Sequence, residues 1–309
     1  MRHLTKTLIV LTMLVAGAAA QEIVPIYPAG KMPNSKGTVV KEDIRDERIY
    51  TVETPAIRVF LPSDQENKGV GVLICPGGGY ARIAYMASGT TLAKWFNTFG
   101  VAAFVLDYRL PTSPDLKDPS IGPLQDAQRA MRVIRANAAK WKLDPARIGV
   151  MGSSAGGHLA ATLGTFTDDF AKVGDDPDAL PFGPNFMILV SPVITMGEYT
   201  HSGSKTNLLG ENPSQELIDR FSVEKQVTEK NPPTFIVHAA NDSGVNVRNS
   251  LMFHAALIEK KVSASIHVFP FGGHAIAVRN NPGSTSNWTE LCEMWMSEIG
   301  ILPEKPIRK

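Results

Sequence analysis

The sequence predicts a doubly wound α/β fold, a mostly parallel sheet flanked by helices on both faces. Three observations carry this expectation. Short runs rich in Val, Ile, Leu and Phe recur along the chain, several without polar–apolar alternation, as strands buried on both faces require. Between them lie stretches with apolar residues at three- and four-residue steps, the period of an amphipathic helix. And 43% of the 309 residues are hydrophobic, enough for a sizeable core in a fold that often exceeds about 250 residues as one unit.

The elements follow in order. Residues 21–56 are polar, contain Pro and assign to no element. Strands are expected at 57–61, 70–75, 102–106, 148–151, 186–190, 234–239 and 263–269. The clearest helix is 123–141, where Leu124, Ala127, Met131, Ile134, Ala138 and Trp141 form one apolar stripe. Pro123 suits its first turn, where the missing N–H has no helical partner to lose. Residues 246–260 and 288–299 also read as amphipathic helices. Segment 195–226 is longer than a simple crossover, contains Gly, Ser, Asn and Pro, and reads as an insertion or lid over the site. No repeat or second domain is visible, so 21–309 reads as one domain.

The first twenty residues are a separate object. Arg2 and Lys6 precede an apolar run at 7–15 and then Ala18-Ala19-Ala20, the pattern of a secretory signal peptide cleaved after Ala20. The competing reading is a membrane anchor, but the run is shorter than the ~20 residues a spanning helix needs. A secreted or periplasmic protein is expected, with no membrane partner after cleavage. Lys and Arg number 31 against 30 Asp and Glu, with no basic stripe, which argues against nucleic acid as a partner. Cys75 and Cys292 could pair in an exported protein, but Cys75 sits in an apolar run and Cys292 on an expected helix. Two buried free thiols are the favoured reading.

The chemistry concentrates in a few places. Gly152-Ser153-Ser154-Ala155-Gly156 follows an expected strand and precedes a helix. In that context G-x-S-x-G is a nucleophile elbow, with Ser154 on a strained strand-to-helix turn. Pro76-Gly77-Gly78-Gly79-Tyr80 follows the strand at 70–75. Acyl transfer needs preorganised N–H donors for an oxyanion; Ala155, after the nucleophile, and Gly78 and Gly79 are placed to supply them. The chain order in such sites is Ser, then Asp or Glu, then His. Asp242 lies just past the strand at 234–239 and His274 just past that at 263–269, at the carboxyl ends where open α/β sheets carry sites. His274 is thus the expected base and Asp242 the acid that orients it. His158, His238, His254 and His267 lie within or beside expected elements and read as packing or surface residues. Asp107 and Asp126 precede the nucleophile; Asp107-Tyr108-Arg109 reads as a structural hydrogen-bond network. No Cys/His cluster has metal-ligand spacing, and Gly77 to Gly79 lack the Lys and Ser/Thr of a P-loop, so neither metal nor cofactor is expected.

From Val70 onward the chain resembles bacterial α/β-hydrolase esterases related to acetylxylan and feruloyl esterases, a group often labelled xylanase-like. The resemblance rests on Cys75-Pro76-Gly77-Gly78-Gly79-Tyr80, Asp107-Tyr108-Arg109-Leu110, Gly152 to Ala160, Asn207-Leu208-Leu209-Gly210-Glu211-Asn212-Pro213 and Phe271-Gly272-Gly273-His274. It implies an α/β-hydrolase fold and removal of short acyl groups, acetyl above all, from plant polysaccharide or smaller esters, without a cofactor. It also implies that His201 faces the site; Tyr80 is a second candidate substrate contact. Two departures bear on substrate preference: Asp242-Ser243-Gly244-Val245-Asn246 where the group has Asp-x-x-Val-Pro, and Gly273-His274-Ala275 where it has Gly-His-Gly. Two other classes compete. A secreted peptidase of this fold often carries an N-terminal propeller, which about 35 residues cannot build. A non-catalytic binding protein would be favoured by a missing Ser, His or Asp, and none is missing.

Overall fold

The computed structural model describes residues 21–274 and 276–304, so the expected signal peptide at 1–20 lies outside the described residues. The chain runs β1 (Ile23–Pro25), β2 (Asp43–Arg45), β3 (Arg48–Thr51), β4 (Ala56–Phe60), β5 (Val70–Cys75), α1 (Thr91–Asn97), β6 (Val101–Asp107), α2 (Gly122–Ala136), β7 (Ile148–Ser153), α3 (Ala155–Thr165) and β8 (Met187–Val190). It continues through α4 (Ser202–Leu209), α5 (Gln215–Phe221), β9 (Thr234–Ala239), α6 (Arg248–Glu259), β10 (Ala264–Phe269) and α7 (Trp288–Glu298). Eight strands form one sheet in the order β1-β4-β6-β5-β7-β8-β9-β10. β1 and β4 make an antiparallel edge, and the six strands from β6 to β10 are parallel. The hairpin β2–β3 stands apart.

Every residue of β5, β6 and β9 is buried, which is why their sequences do not alternate. The alternation lies between two apolar layers instead. Leu73 and Cys75 of β5 enter one layer with α2, α3 and α6. Val72 and Ile74 enter the other with Trp95 of α1 and Trp288 and Trp295 of α7. Cys75 and Cys292 belong to opposite layers, and both are free and buried.

The expected helix at 123–141 is shorter: α2 ends at Ala136, although Trp141 stays buried against Phe104 with ring centroids 4.7 Å apart. Nor does α2 have a solvent face. Arg129 pairs with Asp175 and Asp178, Arg132 with Asp169, and Arg135 donates to the carbonyls of Pro181 and Gly183. A buried cation needs such partners, and segment 168–183 supplies them. The expected 107–109 network resolves into separate links: Asp107 binds Arg58 at 2.8 Å, Tyr108 donates to the Pro76 carbonyl, and Arg109 binds Asp126 at 2.7 Å.

The topology positions the site. From β5 the chain crosses through α1 to β6, then through α2 back past β5 to β7. Strand order reverses at β5, so a crevice opens at the carboxyl ends of β5 and β7. The loop with Gly77 to Gly79 and the turn with Ser154 border it.

Candidate active site

Ser154 joins β7 to α3 with φ 56° and ψ −125°, a conformation that costs an ordinary residue of order 1–3 kcal/mol. Its neighbours make that turn possible. A Cβ on Gly152 would lie 2.1 Å from the Gly156 carbonyl oxygen, and one on Gly156 would lie 2.1 Å from that of Cys75. The two glycines are therefore demanded by close backbone approach. The Ser154 hydroxyl makes no capping bond to α3 and is left for other work.

Asp242 and His274, on loops after β9 and β10, converge on it. His274 Nε2 lies 2.9 Å from Ser154 Oγ, and His274 Nδ1 lies 2.8 Å from Asp242 Oδ2. Because Nδ1 faces a carboxylate it carries the proton, and Nε2 accepts from the Ser154 hydroxyl. The Asp242 side chain is fully buried, which opposes its charge. Hydrogen bonds from His238, His274 and the Val245 N–H outweigh that burial and hold its carboxyl well below the usual range.

Three backbone N–H groups beside Ser154 are left free by the hydrogen bonds of the carbonyls that precede them. The Gly77 carbonyl accepts from Ala84 N at 2.8 Å, and the Gly78 carbonyl from Ala81 and Arg82 N at 3.2 and 3.3 Å. In a trans peptide N–H and C=O point opposite ways, so the N–H groups of Gly78 and Gly79 are aimed away from those partners. The Ser154 carbonyl accepts from Gly157, His158 and Val193 N, which aims the Ala155 N–H likewise. None of the three N–H groups meets an acceptor among the described residues. Gly78 has φ +139°, and a Cβ there would lie 2.0 Å from the Arg82 carbonyl oxygen.

Tyr80 corrects an expectation. It is buried, with its ring edge-on to Tyr108 and His158 and its hydroxyl 2.8 Å from His158 Nδ1. The chain turns under at Tyr80, φ 60°, so its side chain braces the loop from beneath and does not border the pocket. His158 Nε2 bonds the Phe221 carbonyl at 2.8 Å, and burial lowers its pKa to about 4. His201, in contrast, borders the pocket. Its Nδ1 accepts from Ser204 N at 3.1 Å and caps α4, so in the neutral ring the proton sits on Nε2. Burial, and the charge His274 would carry, lower its pKa while Asp242 pulls the other way.

The pocket has a volume of about 540 Å³. Gly78, Gly79, Ser154 and His274 form its floor, while His201, Gly203 and Asn207 come from segment 195–226. Leu92, Val190, Ile276 and Val278 make an apolar wall. Among the described residues no group of three or more His, Cys, Asp or Glu is placed to hold a metal. Two contributors escape sequence reading. Asn207 donates to the Gly79 carbonyl at 2.8 Å and ties α4 to the glycine loop. His238, expected to pack, reaches Asp242 at 3.2 Å. Only its spacing hinted at this: positions four apart on a strand share a face, though Asp242 lies just past the strand's end.

The fold is that of the α/β-hydrolase esterases. More narrowly, the chain belongs to the BD-FAE family, whose profile matches residues 57–257. It is 36% identical over 260 residues to endo-1,4-beta-xylanase B of Butyrivibrio fibrisolvens, covering 82% of this chain and 40% of that protein. It is 33% identical over 221 residues to an acetylxylan esterase of Xylanibacter ruminicola, covering 70% of this chain and 42% of that protein. The chain thus spans well under half the length of these curated relatives. The crystal structure of an acetyl ester-xyloside bifunctional hydrolase from Caldicellulosiruptor lactoaceticus is 35% identical, with a TM-score of 0.77, over 91% of this chain and 97% of that one.

Proposed function

We propose that this protein is an exported serine carboxylesterase that removes short acyl groups, acetyl first, from carbohydrate esters such as those of xylan. The observation that carries the reading is the unbroken line Ser154 Oγ–His274 Nε2 and His274 Nδ1–Asp242 Oδ2, at 2.9 and 2.8 Å, on the floor of an open pocket. Ser154 attacks the ester carbonyl as His274 takes its proton, and Asp242 stabilises the imidazolium. The N–H groups of Gly78, Gly79 and Ala155 receive the oxyanion, with the N-terminus of α3 adding favourable dipole. His274 returns the proton to the departing sugar oxygen. It then activates a water that clears the acyl group from Ser154. The His201 Nε2–H is a donor for a sugar hydroxyl. Segment 195–226 acts as the insertion that completes the pocket, within a single domain at 21–309. Export rests on the pattern at 1–20; no helix among the described residues is long and apolar enough to cross a membrane.

The names of the acetylxylan esterase and acetyl ester-xyloside hydrolase relatives support the acetyl and sugar parts of the reading. So does the makeup of 195–226: Leu208 and Leu209 are buried away from the pocket, which receives polar or small residues from this segment. Ferulate release is a second reading, favoured by a pocket volume and apolar wall larger than an acetyl group needs. The test measures acetate and ferulate release from xylan, and kcat/KM on 4-nitrophenyl esters of rising chain length, for the wild type and Ser154→Ala. Acetate release, acetyl faster than octanoyl, and a loss of roughly 10⁴-fold or more in the folded variant are expected. Near wild-type turnover by Ser154→Ala overturns the mechanism; faster octanoyl cleavage overturns the acyl preference.

A further inference from the structure

We infer that His238 is a positioning residue, acting on His274 through the oxygen of Asp242 that the two histidines share; this rests on the esterase reading above. His238 stands near the end of β9 with a fully buried side chain. Its Nε2 lies 3.0 Å from the Val245 carbonyl and 3.2 Å from Asp242 Oδ2, and its Nδ1 lies 2.7 Å from Ser250 Oγ. A carbonyl and an ionised carboxylate only accept. Nε2 therefore carries the proton and divides it between the two oxygens, while Nδ1 of the neutral ring accepts from the Ser250 hydroxyl. The tautomer is determined by its surroundings, with Ser250 on α6 holding it from behind.

This completes the shell of Asp242. Oδ1 accepts from Gly244 N at 2.8 Å and Val245 N at 2.9 Å, and Oδ2 from His274 Nδ1 and His238 Nε2. Each carboxylate oxygen has about two lone-pair sites, so all four are used. The carboxylate cannot rotate without breaking a bond, and one direction on Oδ2 remains for His274. The donor from His238 also draws negative charge from the oxygen that faces His274. A residue that merely filled space between β9 and α6 would do neither.

The titratable groups around His274 are Asp242 from the loop after β9, His201 at the start of α4, and Arg82, which lines the same pocket from the loop after β5. Around His238, Asp242 is the titratable partner; Ser250 and the Val245 carbonyl are neutral. His201 and Arg82 remain in every variant below, so their influence cancels in the comparison.

The test compares His238→Phe, which keeps a ring but removes the donor, with His238→Gln, whose amide nitrogen reaches toward the position of Nε2. His238→Phe should lose roughly 10- to 100-fold in kcat with little change in KM, the upper figure being the cost of about a 1 Å misplacement, and His238→Gln should recover most of it. In His238→Phe the acid limb of the kcat/KM profile should move to higher pH, because a carboxylate relieved of one donor stabilises protonated His274 more strongly. In an Asp242→Asn background the His238→Phe loss should largely vanish. If His238→Phe does not fold, Ser250→Ala, which removes the hydroxyl that holds the ring from behind, should shift the acid limb the same way by less. Equal losses in both backgrounds, an unmoved acid limb, or a Ser250→Ala enzyme indistinguishable from wild type overturns the inference. Ser154→Ala separates the two levels. If it stays active, the esterase mechanism itself fails; if it is inactive while His238→Phe behaves as wild type, only the role of His238 fails.

Discussion

His158 ties stability to pH in a way that can be measured. It sits on α3 directly beyond the elbow, fully enclosed, between the Tyr80 hydroxyl and the Phe221 carbonyl. Burial lowers its pKa from 6.5 to about 4. At about 1.4 kcal/mol per unit the gap amounts to about 3 kcal/mol. Above pH 6.5 the folded and unfolded chains both carry a neutral ring and nothing is lost. As pH falls toward 4 the unfolded chain takes up a proton that the folded chain refuses, so the stabilisation drains away, and below 4 the loss is complete. Against a typical total of about 5–15 kcal/mol this is large. His158→Gln, neutral at every pH, isolates the effect. Its deficit in unfolding free energy, measured by urea titration with tryptophan fluorescence, should be greatest at pH 7 and shrink by about 3 kcal/mol at pH 4. Asp107, which burial pushes up to about 7 despite Arg58, and His201 and His267, whose pKa values burial lowers, are common to both proteins and cancel. A deficit that stays constant from pH 7 to 4 would refute the reasoning.

Three further outcomes are expected. Asp242→Asn should lose up to about 10⁴-fold in kcat/KM with the fold intact by circular dichroism. Asp242→Asn/His274→Ala should be no slower than His274→Ala alone, because the pair acts as a unit; losses that multiply would mean Asp242 works apart from His274. Cys75 and Cys292 are buried in opposite layers and burial raises both thiols, so neither should react with a thiol reagent in the native protein, and both should in urea. A native thiol titre above zero contradicts their placement.

The parts that could be read in the sequence are those where chemistry leaves few choices of residue. Gly152 and Gly156 are demanded by backbone approach, so the turn at Ser154 announces itself. The loops after β9 and β10 could be recognised because β9 and β10 read as strands from their β-branched and aromatic residues, and Asp242 and His274 follow their ends. Elements with weaker local signals were illegible. α1 has seven residues, and the hairpin β2–β3 buries only Ile49 fully. The end of α2 at Ala136 was hidden because Trp141 keeps the apolar spacing past the helix. Long-range partners were equally hidden. Tyr80 reads as a pocket residue until His158, 78 positions away, claims its hydroxyl. The polar face of α2 reads as solvated until Asp169, Asp175 and Asp178 fold across it. His238 reads as packing because a buried polar ring reveals its role only through what it touches.

The contact between Gly156 and the Cys75 carbonyl has a consequence for change over evolutionary or laboratory time. The turn bearing Ser154 and the start of the glycine loop rest on each other main chain to main chain, with no side chain between them to exchange. Substitution there is confined by sterics, whatever ester is hydrolysed. The wall is different: His201 and Gly203 at the start of α4, and Ile276 and Val278 after β10, border the pocket without supporting that contact. New specificity should therefore accumulate on α4 and at 276–278, where diversification leaves the floor undisturbed. Asn207 is the exception within that wall, since its amide holds the Gly79 carbonyl. A library that randomises it would alter selectivity and loop geometry together, whereas one that spares it can vary selectivity alone.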